Sequence, residues 1–205
     1  MNMSRQEAWD IVGGLSRTSK MPWYSWSIPI EHCKVGSKLA KIPGTVCYEC
    51  YAGKGTYNFP NVVESMAKRY ATLRDPRWVD AMSFLLNDLA GNKPRRFRWF
   101  DAGDLQNISH LVKIIKVARR TPTIRHWVPT KEKALVLSYK GDLPANLTIR
   151  LSAYHIDDKI NGNGLPTSAV VTANATCPAY QNDGKCGNCD KCWDANVSLV
   201  SYPLH

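Results

Sequence analysis

The chain has 205 residues, 44% hydrophobic and 21% charged, with 27 Lys+Arg against 17 Asp+Glu for a formal net charge of +10. That length can bury a core without disulfide staples, and that composition excludes a disordered or low-complexity protein. No apolar run of about 18 residues occurs, and the first ten residues lack the basic-then-apolar pattern of a secretory signal, so a cytoplasmic protein with no membrane partner is expected.

In chain order, Pro22 to Ile30 (PWYSWSIPI) is rich in aromatic residues and reads as the first strand. Asn61 to Leu73 reads as a helix, and Asp75-Pro76 offers the next helix an N-cap with proline at its first position. Trp78, Val79, Met82, Leu86 and Leu89 then recur at helical spacing until Gly91. Arg96 to Gly103 (RFRWFDAG) is the second β-run, followed by a helix over Ser109 to Arg120 with Leu111, Val112, Ile115 and Ala118 on one face, stopped by Pro122. Ile124 to Thr130 is a third strand, KEKALVLSY a helix ended by Gly141, Leu147 to Tyr154 a fourth strand and Ser168 to Ala173 a fifth. Crossovers of helical length predict parallel pairing. The expected fold is α/β, a partial (βα) barrel or open parallel sheet of five to six strands, because a full eightfold barrel takes about 250 residues. A single domain is expected over 1–205, with the first strand and a cysteine loop in 1–60, the βα core in 61–173 and a cysteine-rich loop in 174–205.

The seven cysteines divide into Cys33, Cys47 and Cys50, then Cys177, Cys186, Cys189 and Cys192. An odd count cannot pair fully, and in a reducing compartment grouped thiols point to metal. The second group, in CPAYQNDGKCGNCDKC, is similar to the ferredoxin loop, in which closely spaced thiolates wrap an iron–sulfur cubane and a more distant one completes four ligands; Gly184 and Gly187 let the backbone curl, and Pro178 follows Cys177. A structural zinc ion on four cysteines uses the same residue type and stays open as the other reading. The first group, Cys33-x13-Cys47-x2-Cys50, supplies three ligands and would leave one iron of a [4Fe-4S] cluster free for a small molecule, unless His32 or His110 completes it. It follows the first strand, at the end where a barrel builds its site.

A strand, three cysteines and a βα partial barrel together resemble the radical S-adenosylmethionine superfamily, and CYECYAGKGTY is similar to the Cys-x2-Cys-Tyr-Ala of some phage-associated members. The gap of thirteen, and Glu49 where the superfamily has an aromatic residue, depart from its Cys-x3-Cys-x2-Cys pattern. Over nearly the whole chain, SKMPWYSWSIP, CKVGSKLAKIPGTVCYECYA, RDPRWVDAM, RWFDAGDLQ, RHWVPTKE, PANLTIRLSA and CGNCDKCWDANVSLVSYPLH resemble the phage gene-product-88 family. The radical-enzyme resemblance implies S-adenosylmethionine as cofactor, chelated through its amino and carboxylate groups at the open iron, its sulfonium cleaved by one electron, and an electron donor as partner. It places Asp101, Gly103 and Asp104 where the superfamily has a short turn that receives the methionine ammonium, with Arg150 to bind the carboxylate. It assigns no catalytic residue.

Plainer accounts stand beside these. Asp104 can cap its own turn, and Arg150 can pair with Asp101 or Asp104 inside the fold. Strand alternation puts Arg125, Trp127 and Pro129 on one face and His126 on the other, where it reads as a hydrogen-bonded core histidine. Trp193, beside Cys192, reads as a shield for the metal. Lys34, Lys38, Lys41 and Lys54 lie among the first cysteines, with further clusters at Arg95, Arg96, Arg98 and at Arg119, Arg120. These suit a phosphate-bearing substrate or nucleic acid, with aromatic side chains to stack on bases, or else form a solvated face. Three function classes follow: a radical-type iron–sulfur enzyme, in the host cytoplasm if phage-encoded; an electron-transfer iron–sulfur protein; and a non-catalytic metal-stabilised module, holding zinc or iron–sulfur, that binds nucleic acid or a host protein.

Overall fold

A computed structural model describes residues 3–91 and 93–204. Six parallel strands form one open sheet in sequential order: β1 (Ser25–Trp26), β2 (Arg95–Trp99), β3 (Ile124–Thr130), β4 (Leu147–Ser152), β5 (Thr167–Val171) and β6 (Leu199–Pro203). The first strand is far shorter than its aromatic run. Beyond Trp26 the chain leaves the sheet: the Ile28 amide bonds the Ala102 carbonyl, and a 3-10 turn over Ile30–His32 follows. The second β-run stops at Trp99 because Phe100 turns into left-handed backbone at φ 57°. β6 falls inside what the sequence presented as a cysteine loop.

The helices are α1 (Arg5–Val12), α2 (Lys34–Leu39), α3 (Pro60–Thr72), α4 (Trp78–Ala90), α5 (Ile108–Arg120) and α6 (Lys133–Ser138). α1 was not anticipated, although Ser4 accepts a hydrogen bond from the Glu7 amide, the arrangement of a helix N-cap. α4 begins at Trp78 rather than Pro76, since the Asp75 carboxylate takes the Arg77 amide and closes a separate turn. α6 ends where Tyr139 becomes extended, ahead of Gly141.

Period-2 alternation gives the sheet two unlike faces. Phe97, Trp99, Val128, Ile149 and Leu151 pack with Trp26 against α4 and α5, contributed by Trp78, Met82, Leu85, Leu111 and Ile114. Trp26 meets Trp78 and Trp99 edge-on, at centroid distances of 5.4 and 6.0 Å. His126 lies on this side: Trp99 donates to its Nδ1 at 3.3 Å, Thr121 Oγ1 is 2.8 Å from Nε2, and burial pushes its pKa down to about 3. It is a neutral core residue. The opposite face presents Arg96, Arg98, Arg125, Trp127, Thr148 and Arg150, and the β5–β6 connection covers it. Among the described residues no helix is long and apolar enough to cross a membrane.

Candidate metal centres

All seven cysteines are free thiols. Cys33 ends the 3-10 turn and begins α2, while Cys47 and Cys50 sit in the loop that follows. The loop is tied to the chain beyond β4 and to the end of α2, and α2 to the chain beyond β3. The Val46 amide donates to the Tyr154 carbonyl at 2.9 Å, the Val35 amide to Glu132 Oε1 at 2.8 Å, and the Thr45 hydroxyl to the Leu39 carbonyl at 2.7 Å. A Cβ on Gly36 would lie 3.5 Å from Cys47 Sγ and 3.7 Å from Cys33 Sγ, so both sulfurs border the space that this glycine leaves open. Burial raises the Cys33 and Cys47 thiol pKa values; Asp104 and the neighbouring thiolates add to the effect at Cys33, whereas the Lys131 ammonium opposes it at Cys47. Lys131, whose Nζ donates to the Ala153 carbonyl at 2.6 Å, has its own pKa lowered by burial. The structure thus gathers Cys33, Cys47 and Cys50 with Asp104, Lys131 and Glu132 at the strand ends, where open parallel sheets bind ligands.

The turn after β2 serves the fold first. Asp101 accepts from the Ser27 hydroxyl and, at 3.3 Å, from Tyr57, and its carbonyl accepts from Tyr51 at 2.6 Å. Asp104 accepts from the Leu105 amide (2.7 Å), the Thr130 hydroxyl (2.5 Å) and the Lys131 amide (2.9 Å), tying β2 to the end of β3. Burial nevertheless raises its pKa to about 6. Gly103 has φ +80°, and a Cβ there would meet Ile28 Cγ1 at 2.4 Å and its carbonyl oxygen at 2.6 Å. The close approach that requires glycine is therefore made by the chain itself. His32 stacks on Tyr70 with centroids 3.5 Å apart. His110 lies among Trp26, Trp78 and Phe100, accepts the Gln106 amide on Nδ1 at 3.4 Å, and is pushed down to about 3 by burial, which makes it part of the helix-side core.

Arg150 organises the second group. It is fully buried and donates to five carbonyls: Nε to Cys192 (3.1 Å), Nη1 to Thr167 (3.1 Å) and Val197 (2.8 Å), Nη2 to Lys191 (2.6 Å) and Asp194 (2.7 Å). A guanidinium has five N–H groups, so none is left for a cofactor carboxylate, and the expected pairing with Asp101 or Asp104 is not made. Arg96 holds the Cys189 and Gly187 carbonyls at 2.5 and 3.0 Å, Arg125 holds the Trp193 carbonyl at 2.8 Å and the Asp190 carboxylate at 2.6 Å, and Thr148 shares the Trp193 carbonyl at 2.9 Å. Arg96, which the sequence grouped with a basic cluster, is thus a clamp on the cysteine segment together with Arg125 and Arg150. Cys177, Cys186 and Cys192 pack with Trp127, Trp193 and Tyr202. Burial pushes the Cys192 thiol up to about 11, against its contact with the Tyr202 hydroxyl at 3.2 Å. Arg98 reaches toward the first group, donating to the Tyr51 hydroxyl at 3.0 Å. Among the described residues, no three His, Cys, Asp or Glu side chains converge on one point that a single metal ion would fill.

No curated protein and no solved structure matches this chain. A family model described as gene product 88 matches residues 17–195, a span that takes in all seven cysteines, both faces of the sheet and five of its six strands. The chain belongs to the gene product 88 family.

Proposed function

We propose that this chain is an iron–sulfur protein of the radical S-adenosylmethionine type, in which Cys33, Cys47 and Cys50 hold a [4Fe-4S] cluster open to a small molecule and Cys177, Cys186, Cys189 and Cys192 hold a second. The observation that carries the reading is the placement of the first group: two of its sulfurs border the space left by Gly36, at the carboxyl ends of a sequentially ordered parallel sheet. The donor set fits a cluster, since thiolates are the ligands of iron–sulfur groups. A reduced cluster supplies the electron for cleavage of a sulfonium. The chain's own residues bind and orient: Gly36 keeps the space clear, Lys131 offers a cation beside Cys47, and Asp104 and Glu132 fix the strand ends. Exposed Lys34, Lys38, Lys41 and Lys54 border this region and would draw a phosphate-bearing substrate or nucleic acid to it, in a host cytoplasm that keeps the thiols reduced.

Anaerobic purification and reconstitution should give about eight irons per chain, because groups of three and four cysteines each suit a cubane. S-adenosylmethionine should alter the electron paramagnetic resonance of one cluster only, and dithionite should then yield 5′-deoxyadenosine. Stoichiometric zinc with little iron would favour the metal-stabilised binding module instead. Two clusters with an unresponsive spectrum and no cleavage would leave an electron-transfer protein.

A further inference from the structure

Two N–H groups on the cysteine-covered face are buried and have no hydrogen-bond partner: Nε of Arg98 and Nε1 of Trp127. The rest of each side chain is engaged. Arg98 donates through its terminal nitrogens to the Tyr51 hydroxyl (3.0 Å), the Phe100 carbonyl (3.3 Å) and the Met21 sulfur (3.8 Å), and its guanidinium carbon sits 4.6 Å from the Trp127 ring centroid. Trp127 is 4% exposed and packs in one cluster with Cys177, Cys186 and Cys192, Trp193 edge-on at 5.2 Å and Tyr202 stacked at 6.4 Å. Leaving a buried donor unpaired is costly, so a fold that brings two to one set of thiols calls for an acceptor there.

We propose that Arg98 Nε–H and Trp127 Nε1–H donate to sulfur atoms of the cluster held by Cys177, Cys186, Cys189 and Cys192, and thereby raise its reduction potential. This rests on the iron–sulfur reading of that group. Hydrogen bonds to cluster sulfurs favour the reduced state, which carries one more negative charge, and the guanidinium adds a positive charge in the same direction. The first group has mixed surroundings, with Asp104 and Glu132 close to Cys33 and the Lys131 ammonium close to Cys47. The two sites would then differ in potential because of the side chains around them, the second being the easier to reduce. Of the other orphaned groups, Trp78 Nε1 and His110 Nε2 belong to the helix-side core, and Ser25 Oγ lies on β1 in register with Arg98.

The full chain, reconstituted anaerobically, is compared with Trp127→Phe, which keeps the ring and deletes the N–H, and with Arg98→Lys, which keeps the charge and deletes Nε–H. Iron and sulfide per chain are measured, and each cluster is followed by redox titration with electron paramagnetic resonance. The C-terminal signal is the one that persists in Cys47→Ser. The expected result is full iron loading, a more negative midpoint potential for the C-terminal cluster in both variants, and an unmoved first cluster in Trp127→Phe. Unchanged potentials at full loading overturn the inference and leave the iron–sulfur reading standing. Zinc in place of iron in the parent protein overturns that reading instead. If Trp127→Phe fails to hold its cluster, Arg98→Lys decides: a shift supports the proposal and no shift overturns it.

Discussion

Phe97 and Arg98 are neighbours in β2, yet they stabilise the protein by different means. Phe97 joins a layer of aromatic and aliphatic side chains that α4 and α5 cover, where burial contributes about 25 cal/mol per Å² without help from any ligand. Arg98 belongs to the face on which Arg96, Arg125 and Arg150 hold backbone carbonyls, and the segment covering it buries few apolar residues, chiefly Cys192 and Trp193. Hydrogen bonds of this kind fix a shape while contributing modestly to net stability. One face is a self-sufficient core. The other is a seat shaped by hydrogen bonds, which the proposed metal group would complete.

The largest test is on the core side. Trp26→Ala removes a fully buried ring whose Nε1 donates to the Val12 carbonyl at 3.0 Å, and should cost about 3–5 kcal/mol. Urea denaturation should show the same loss with or without metal; a loss confined to the metal-free protein would break the distinction between the faces. Arg150→Met keeps the bulk and strips five carbonyls of their donor, at an expected cost of about 3 kcal/mol borne by the C-terminal segment. Limited proteolysis should then cut within residues 177–198 while helical circular dichroism persists. An uncut segment would show that the arginine is not its anchor.

Acid should distinguish the faces next. His110 and His126, both on the core side, fall to about 3 from an ordinary value of 6.5. With the folded value below the unfolded one, their contribution is complete above 6.5 and is lost as pH falls from there toward 3, at up to about 1.4 kcal/mol per pH unit for each. His126→Gln should flatten the dependence of unfolding free energy on pH by one proton, and identical slopes would place the titration elsewhere. The smallest effect belongs to Asp190→Asn. Arg125 and Asp190 are 40% and 51% exposed, so the change should cost under about 1 kcal/mol and vanish in high salt.

Much of the sheet was legible because its strands carry strong signals. Ile124 to Thr130 matches β3 end to end, and β4, β5 and α5 begin within a residue of their expected starts. The two strands that differ from expectation differ for separate reasons. PWYSWSIPI is β-rich, but only two of its residues pair; Leu199–Pro203 pairs with β5 along its length, yet shows no clean period-2 alternation and follows directly on a cysteine-rich stretch. The Ser4 to Glu7 spacing carries a capping signal for α1. At the site, the division of the cysteines followed from spacing alone. The role of the arginines did not, because Arg96 faces Arg125 and Arg98 faces Trp127 only once the register is known. Read singly they look like charge on a surface. Read across strands they form a ladder.

The path of the β5–β6 connection has a kinetic consequence. The connections through α5 and α6 run over the face that Phe97 and Val128 share, whereas the cysteine segment crosses the other face between strands laid down in the same direction. It is therefore opposite in hand to those helical crossovers, and strand twist, which favours one hand strongly, does nothing to guide it. β6 cannot settle beside β5 until that segment has crossed the arginines, so the last strand waits on the seating of the thiols. Refolding should show a fast phase for the helices and the first five strands, then a slow one reported by Trp193. If the thiols hold a metal group as proposed, only the slow phase should quicken when that group's components are supplied from the start.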